Sequence, residues 1–173
     1  MTLAELNALP ESEAREAFTR CCGASTWVAQ MVAARPFASP AQVLGVARER
    51  WESLGPSGWR EAFGHHPKIG DLESLQKKYA SSADLASREQ AAVAKATRAV
   101  LEALAEGNGA YERRFGYIFI VFATGKSAEE MLELLETRLG NDPKTEIGIA
   151  ASEQWKIMRL RLEQMLDSKV RGS

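Results

Sequence analysis

A β-strand must find a partner, and this chain offers one candidate strand at most. Phe115-Gly116-Tyr117-Ile118-Phe119-Ile120-Val121-Phe122 is a short aromatic and β-branched run of the kind that propensity assigns to a buried strand. No partner strand is found elsewhere in the sequence. Because a lone strand cannot satisfy its backbone groups, residues 115–123 are expected to form a buried extended or irregular segment between helices, lining a pocket. The fold class that follows is all-α: a single-domain helical bundle with one buried irregular apolar segment.

Helix signals account for much of the remainder. Thr2 with Glu5 and Ser127 with Glu130 have the capping-box form, in which a hydroxyl caps the first turn and an acidic side chain three residues on answers it. Ser39 with Gln42 repeats the form, and Pro40 stands at the first helical position, so a helix is predicted from about Pro40 to Leu54. Its Val43, Val46, Ala47 and Leu54 recur at helical spacing and mark a buried stripe. From Ser87 to about Leu104 the composition favours a long helix, which Glu106-Gly107-Asn108-Gly109 is expected to break. After Asp142-Pro143, the residues Ala151, Trp155, Met158, Leu162 and Met165 predict a terminal amphipathic helix reaching about Leu166. Ser81-Ser82-Ala83-Asp84 reads as a surface loop.

The chain has 173 residues, within the roughly 100–200 of one compact domain. Basic and acidic residues number 22 and 23, a formal charge of −1, so no overall positive field exists to hold nucleic acid. No apolar run approaches the ~18 residues of a membrane span, and Met1 to Leu9 lacks the order of a signal peptide. The final Val170-Arg171-Gly172-Ser173 is not a peroxisomal signal, and the reading is a cytoplasmic protein that does not enter a membrane. Cys21 and Cys22 are adjacent, so they rarely reach disulfide geometry with each other, and burial in the core is the expected role.

Both histidines lie in Gly64-His65-His66-Pro67-Lys68-Ile69-Gly70-Asp71. Histidine is the first candidate for proton transfer near neutral pH. Pro67 pushes His66 out of helical geometry and so fixes the direction of that side chain. On its own the fragment reads as an ordinary surface or core histidine pair. Metal binding is not expected, since adjacent histidines do not share a helix face and no further His or Cys completes a usual site. Ser87-Arg88-Glu89-Gln90, standing alone, is a helix cap. Arg161 lies beside the stripe of Met158 and Leu162, where its stem can cover apolar surface or its guanidinium can point into a pocket to hold an anion.

The combination says more than its parts. His66-Pro67-Lys68-Ile69-Gly70 is followed by Ala86-Ser87-Arg88-Glu89-Gln90, then Arg113-Arg114-Phe115-Gly116-Tyr117-Ile118-Phe119, Arg138-Leu139-Gly140-Asn141, Glu153, and Arg159-Leu160-Arg161-Leu162. In motif and order, from about Leu6 to Leu166, the chain resembles the OHCU decarboxylase family, whose formal substrate is 2-oxo-4-hydroxy-4-carboxy-5-ureidoimidazoline. The resemblance implies an all-helical homodimer that needs no cofactor, acts on a small-molecule ureide and yields (S)-allantoin and CO2. By matching positions it implies that His66 is the proton-transfer residue with Pro67 beside it, that Glu89 and Gln90 meet the ring and ureido groups, and that Arg161 binds substrate. It further implies ligand contacts from the main chain of Phe119, Ile120 and Val121 through Ala123. Where family members carry a serine three residues before the glutamate, this chain has Ala86, with Ser87 displaced by one.

Decarboxylation needs a sink for the electrons of the breaking C–C bond, which cofactors often supply. The carbon losing CO2 in this substrate adjoins a C=N bond and so carries its own sink. The protein's expected tasks are orientation, proton transfer shared by His66 and Glu89, and choice of the face protonated. A glutamate near a histidine favours the imidazolium, so the two titrations would be coupled. The competing reading is a non-enzymatic helical module that binds a small ligand or a partner helix.

Overall fold

The computed structural model describes residues 1–66, 70–79 and 87–166, with the backbone alone over 87–96. Nine α-helices and no strand occur among the described residues. They are α1 (Leu3–Ala8), α2 (Glu11–Cys21), α3 (Ser25–Ala33), α4 (Pro40–Ser53), α5 (Gly55–Gly64), α6 (Leu72–Lys78), α7 (Ser87–Phe115), α8 (Ala128–Leu139) and α9 (Pro143–Leu166). None is long and apolar enough to cross a membrane. The chain divides into two compact units, one of residues 1–66 with 149 onward, the other Pro67–Gly148. Pro67 and the expected loop at residues 81–84 lie outside the described residues.

The local start signals form as expected. Thr2 and Ser127 each accept from the backbone N–H three residues on, and the Glu5 and Glu130 side chains answer them. Ser39 accepts from the Gln42 N–H at 3.1 Å, while the Gln42 side chain reaches one residue further back, to the Ala38 N–H at 2.6 Å. Asp142 caps α9 by accepting from the Thr145 N–H at 3.0 Å, with Pro143 at the first helical position.

In the first unit α3 is central and packs on α2, α4 and α5. Phe18, Trp27, Met31, Val43, Ala47 and Trp51 form its core with Met158 and Leu162 of α9. Large aromatic side chains supply apolar area, and their polar edges are satisfied. The Trp27 indole N–H donates to the Ala47 carbonyl at 2.9 Å and that of Trp51 to the Ala151 carbonyl at 3.0 Å. In the predicted stripe of α4, Val43 and Ala47 are buried, Val46 and Leu54 only half-buried, and Trp51 completes the face.

In the second unit α7 packs on α6 and α8. The expected break at Glu106-Gly107-Asn108-Gly109 is absent: α7 continues through it to Phe115. A Cβ at Gly107 would lie 2.7 Å from Cδ2 of Leu135, a fully buried residue of α8. Glycine is there to let two helices approach, which outweighs its cost of about 1 kcal/mol in helix propensity. The helix ends instead at Gly116, whose φ of 77° is the left-handed conformation of a C-terminal glycine and whose N–H donates to the Glu112 carbonyl at 2.8 Å.

Beyond Gly116 the run Tyr117–Ala123 is neither helix nor strand, as the missing partner strand required. Tyr117 and Ile120 are buried, and Phe119 and Val121 half-buried. A buried ion pair holds the segment. Arg138 donates through Nε and Nη2 to one Glu146 carboxylate oxygen, at 2.7 and 2.6 Å, and through Nη1 to the Ile120 carbonyl at 2.6 Å. Its guanidinium lies 4.6 Å from the centre of the Phe119 ring. The Tyr111 hydroxyl donates to the same Glu146 oxygen, and Asn141 donates to the other at 2.8 Å. Glu146 is 0% and Arg138 6% exposed, so each charge depends on these partners in place of water.

Three substitutions test this packing. Gly107→Ala should cost about 1–3 kcal/mol by overpacking against Leu135. Gly109→Ala, which meets only the end of the flexible Arg113 side chain, should be neutral or stabilise by up to ~1 kcal/mol. Equal urea midpoints for the two variants would contradict the close-approach explanation. Arg138→Met leaves the Glu146 carboxylate buried without its cation and should cost about 3–5 kcal/mol in the same measurement.

Candidate active site

Helix α5 ends in two successive turns, with the His65 N–H donating to the Ala62 carbonyl at 3.1 Å and the His66 N–H to that of Phe63 at 3.2 Å. Buried Ala62 and Phe63 anchor this end, so both histidines leave a fixed point of the backbone. Their surroundings differ. His65 is exposed, and its ring covers Gly23 so closely that a Cβ there would come within 2.3 Å of it. Nearby, Glu61 accepts from the Ser25 N–H at 3.0 Å and supplies α3 with the cap that its own sequence lacks. The Ser25 hydroxyl first, then this backbone bond, with a smaller contribution from His65, hold the Glu61 carboxyl below its usual range.

His66 is half-buried, and its Nε2 is hydrogen-bonded to Oε1 of Gln154 on α9. Burial pushes its pKa below the ordinary imidazole value. The Gln154 hydrogen bond works the other way, while Arg161 and His65 add to the lowering. The outcome is a neutral imidazole at neutral pH, able to accept a proton.

Arg161 stands two turns after Gln154 and therefore on the same face of α9. It is half-buried, and Nη1 donates to the Cys21 carbonyl at 3.4 Å, at the C-terminal end of α2 where the helix dipole favours a cation. With Arg20, Cys21, Ala17, Gln164 and Met165 it lines a cavity of about 360 Å³. His66 is not among the residues that line this cavity. Cys21 and Cys22 are buried free thiols, pushed up to about 11 and about 12 by desolvation, so they stay protonated and inert.

The first unit thus brings together His66 and Arg161. Phe119, Ile120 and Val121 belong to the second unit, on the segment that Arg138 holds. The backbone of Glu89 and Gln90 lies in α7, and their side chains, like Pro67, fall outside the described residues. The sequence reading missed Gln154. It is 1% exposed and interrupts the buried stripe of Ala151, Met158 and Leu162, and a polar residue in such a stripe is the signal that could have found it. Arg138 is the same case, one and two turns after buried Leu135 and Met131.

Comparison with known proteins places the sequence and the fold. The family model described as OHCU decarboxylase matches residues 7–163. The uric acid degradation bifunctional protein TTL of Arabidopsis thaliana is 36% identical over 152 residues, 87% of this chain but 47% of that protein, so the chain spans about half of that relative. The 2-oxo-4-hydroxy-4-carboxy-5-ureidoimidazoline decarboxylase of Amia calva is 28% identical over 96% of this chain and 95% of its own. A crystal structure of OHCU decarboxylase in the presence of (S)-allantoin superposes with a TM-score of 0.70 at 33% identity, over 87% of this chain and 97% of that one. With residues 7–163 matched by the family model and a relative 36% identical over 87% of its length, the chain belongs to the OHCU decarboxylase family.

Proposed function

We propose that this protein removes CO2 from 2-oxo-4-hydroxy-4-carboxy-5-ureidoimidazoline to leave (S)-allantoin in the degradation of urate, acting as one domain, as a homodimer, in the cytoplasm. Membership of the decarboxylase family supports the reaction. The observation that carries the assignment of chemistry is His66, neutral, fixed at the end of α5 and oriented by a buried amide.

The electrons of the C–C bond move into the adjoining C=N bond of the substrate, giving an enol-like intermediate that is protonated on the neighbouring carbon. No cofactor is required for this step. His66 accepts a proton from the ring hydroxyl or delivers one to the enol, with Glu89 as its partner in proton transfer. Arg161 anchors a carboxylate or carbonyl oxygen through its planar fork, and Gln90 and Pro67 adjoin the ring and ureido groups. The Ile120 carbonyl is taken by Arg138, so the main chain of Phe119, Ile120 and Val121 would offer N–H groups to the ligand.

The test follows the ultraviolet decay of the intermediate generated from urate by uricase and the hydrolase that precedes this step. The protein should accelerate the decay, and a binding module would leave it unchanged. His66→Ala should lower kcat/KM by roughly 10² or more with the fold intact, while His65→Ala keeps most activity. Comparable losses in both variants would contradict the assignment. Because burial lowers the His66 pKa, the acidic limb of kcat/KM should fall below the ordinary imidazole value of 6.5, activity being lost only once that neutral ring is protonated. A limb above 6.5 would mean that an anion such as the Glu89 carboxylate faces His66 and outweighs burial.

A further inference from the structure

We infer that Gln154 is the positioning residue of the reaction, holding His66 as the Nε2–H tautomer so that protons enter and leave only through Nδ1. This deepens the proposed function and rests on it for the role of His66.

A carbonyl oxygen can only accept, so the nitrogen facing Oε1 of Gln154 must carry the hydrogen. In a neutral imidazole the other nitrogen then holds the lone pair. That nitrogen is Nδ1, which no described residue hydrogen-bonds. The amide is a strong orienter because it cannot move: Gln154 is 1% exposed, inside the stripe of Ala151, Met158 and Leu162 on a continuous helix. Its partner leaves α5 at a backbone turn anchored by Phe63.

The chemistry of an amide also decides what it does not do. A carboxylate at this place would favour the imidazolium and hold a proton on the ring before substrate arrives. An amide orients the ring and adds no charge. It is not basic, so it cannot relay a proton from Nε2, and the proton gained at Nδ1 must leave by Nδ1. Among the described residues, the charged and titratable groups acting on His66 are Arg161 on α9 and the neighbouring His65, both of which oppose the imidazolium. Glu89 is the proposed proton-transfer partner, common to parent and variant in the comparison below.

The tautomer is read directly by two-bond proton–nitrogen correlation on protein labelled in histidine with nitrogen-15, His66 being assigned by its loss in His66→Ala. Above the imidazole pKa, the parent protein should show Nε2 protonated and Nδ1 bare. An Nδ1–H tautomer, or a mixture, overturns the inference. Gln154→Leu should return the ring to a mixture and lower kcat roughly tenfold or more with little change in KM, the pattern of a group that acts in the transition state. Gln154→Glu should keep the Nε2–H tautomer and raise the acidic limb of kcat/KM by about one to three pH units. A purely structural Gln154 would instead give variants of lower stability with the tautomer and the limb unmoved. If the tautomer is as stated but no decarboxylation occurs, the reaction assigned above fails and the positioning stands. Decarboxylation with the opposite tautomer sinks the positioning alone.

Discussion

Everything around residues 117–123 depends on one ion pair sealed from water. Arg138 and Glu146 are each almost fully buried, and burial of a charge is tolerated only where partners replace its hydration. Here they do: the Tyr111 hydroxyl and Asn141 amide complete the carboxylate, while the Ile120 carbonyl and the Phe119 ring complete the guanidinium. An apolar strand-like run with no partner strand is thereby given a fixed course, tied by a side chain instead of a ladder. Burial also pushes the Tyr111 hydroxyl far above its usual pKa, with its bond to Glu146 adding to the effect, so it remains a donor.

The same physics acts at His66 with the opposite result. A half-buried imidazole beside Arg161 is driven toward its neutral form, and a neutral amide orients it without restoring a charge. Arg138 is paired with Glu146 and tied to the backbone, whereas Arg161, among the described residues, donates to the Cys21 carbonyl and lines a cavity. Two arginines quoted in the same family pattern thus differ in what surrounds them.

How much of this was legible in the sequence depended on distance along the chain. The capping boxes at Thr2 and Ser127 are complete within four residues, and the irregular segment followed from elimination, since one strand cannot stand alone. Gly107 was misread because its helix-breaking tendency is local, while its reason for being there is Leu135. Gln154 was missed because the partner that explains it lies 88 residues away, at His66. The proposed site residues His66 and Arg161 rest on the order of motifs, because neither a His-His-Pro turn nor an arginine beside a stripe is distinctive alone.

The central claim is that an enclosed, oriented proton donor completes a decarboxylation that also proceeds slowly by itself. Release of CO2 does not require a chiral donor, but choice of the protonated face does. Circular dichroism of the allantoin formed when urate is degraded in the presence of this protein therefore tests the account most directly. A growing signal of the (S) form is the predicted result; racemic allantoin from protein that accelerates the decay would contradict it.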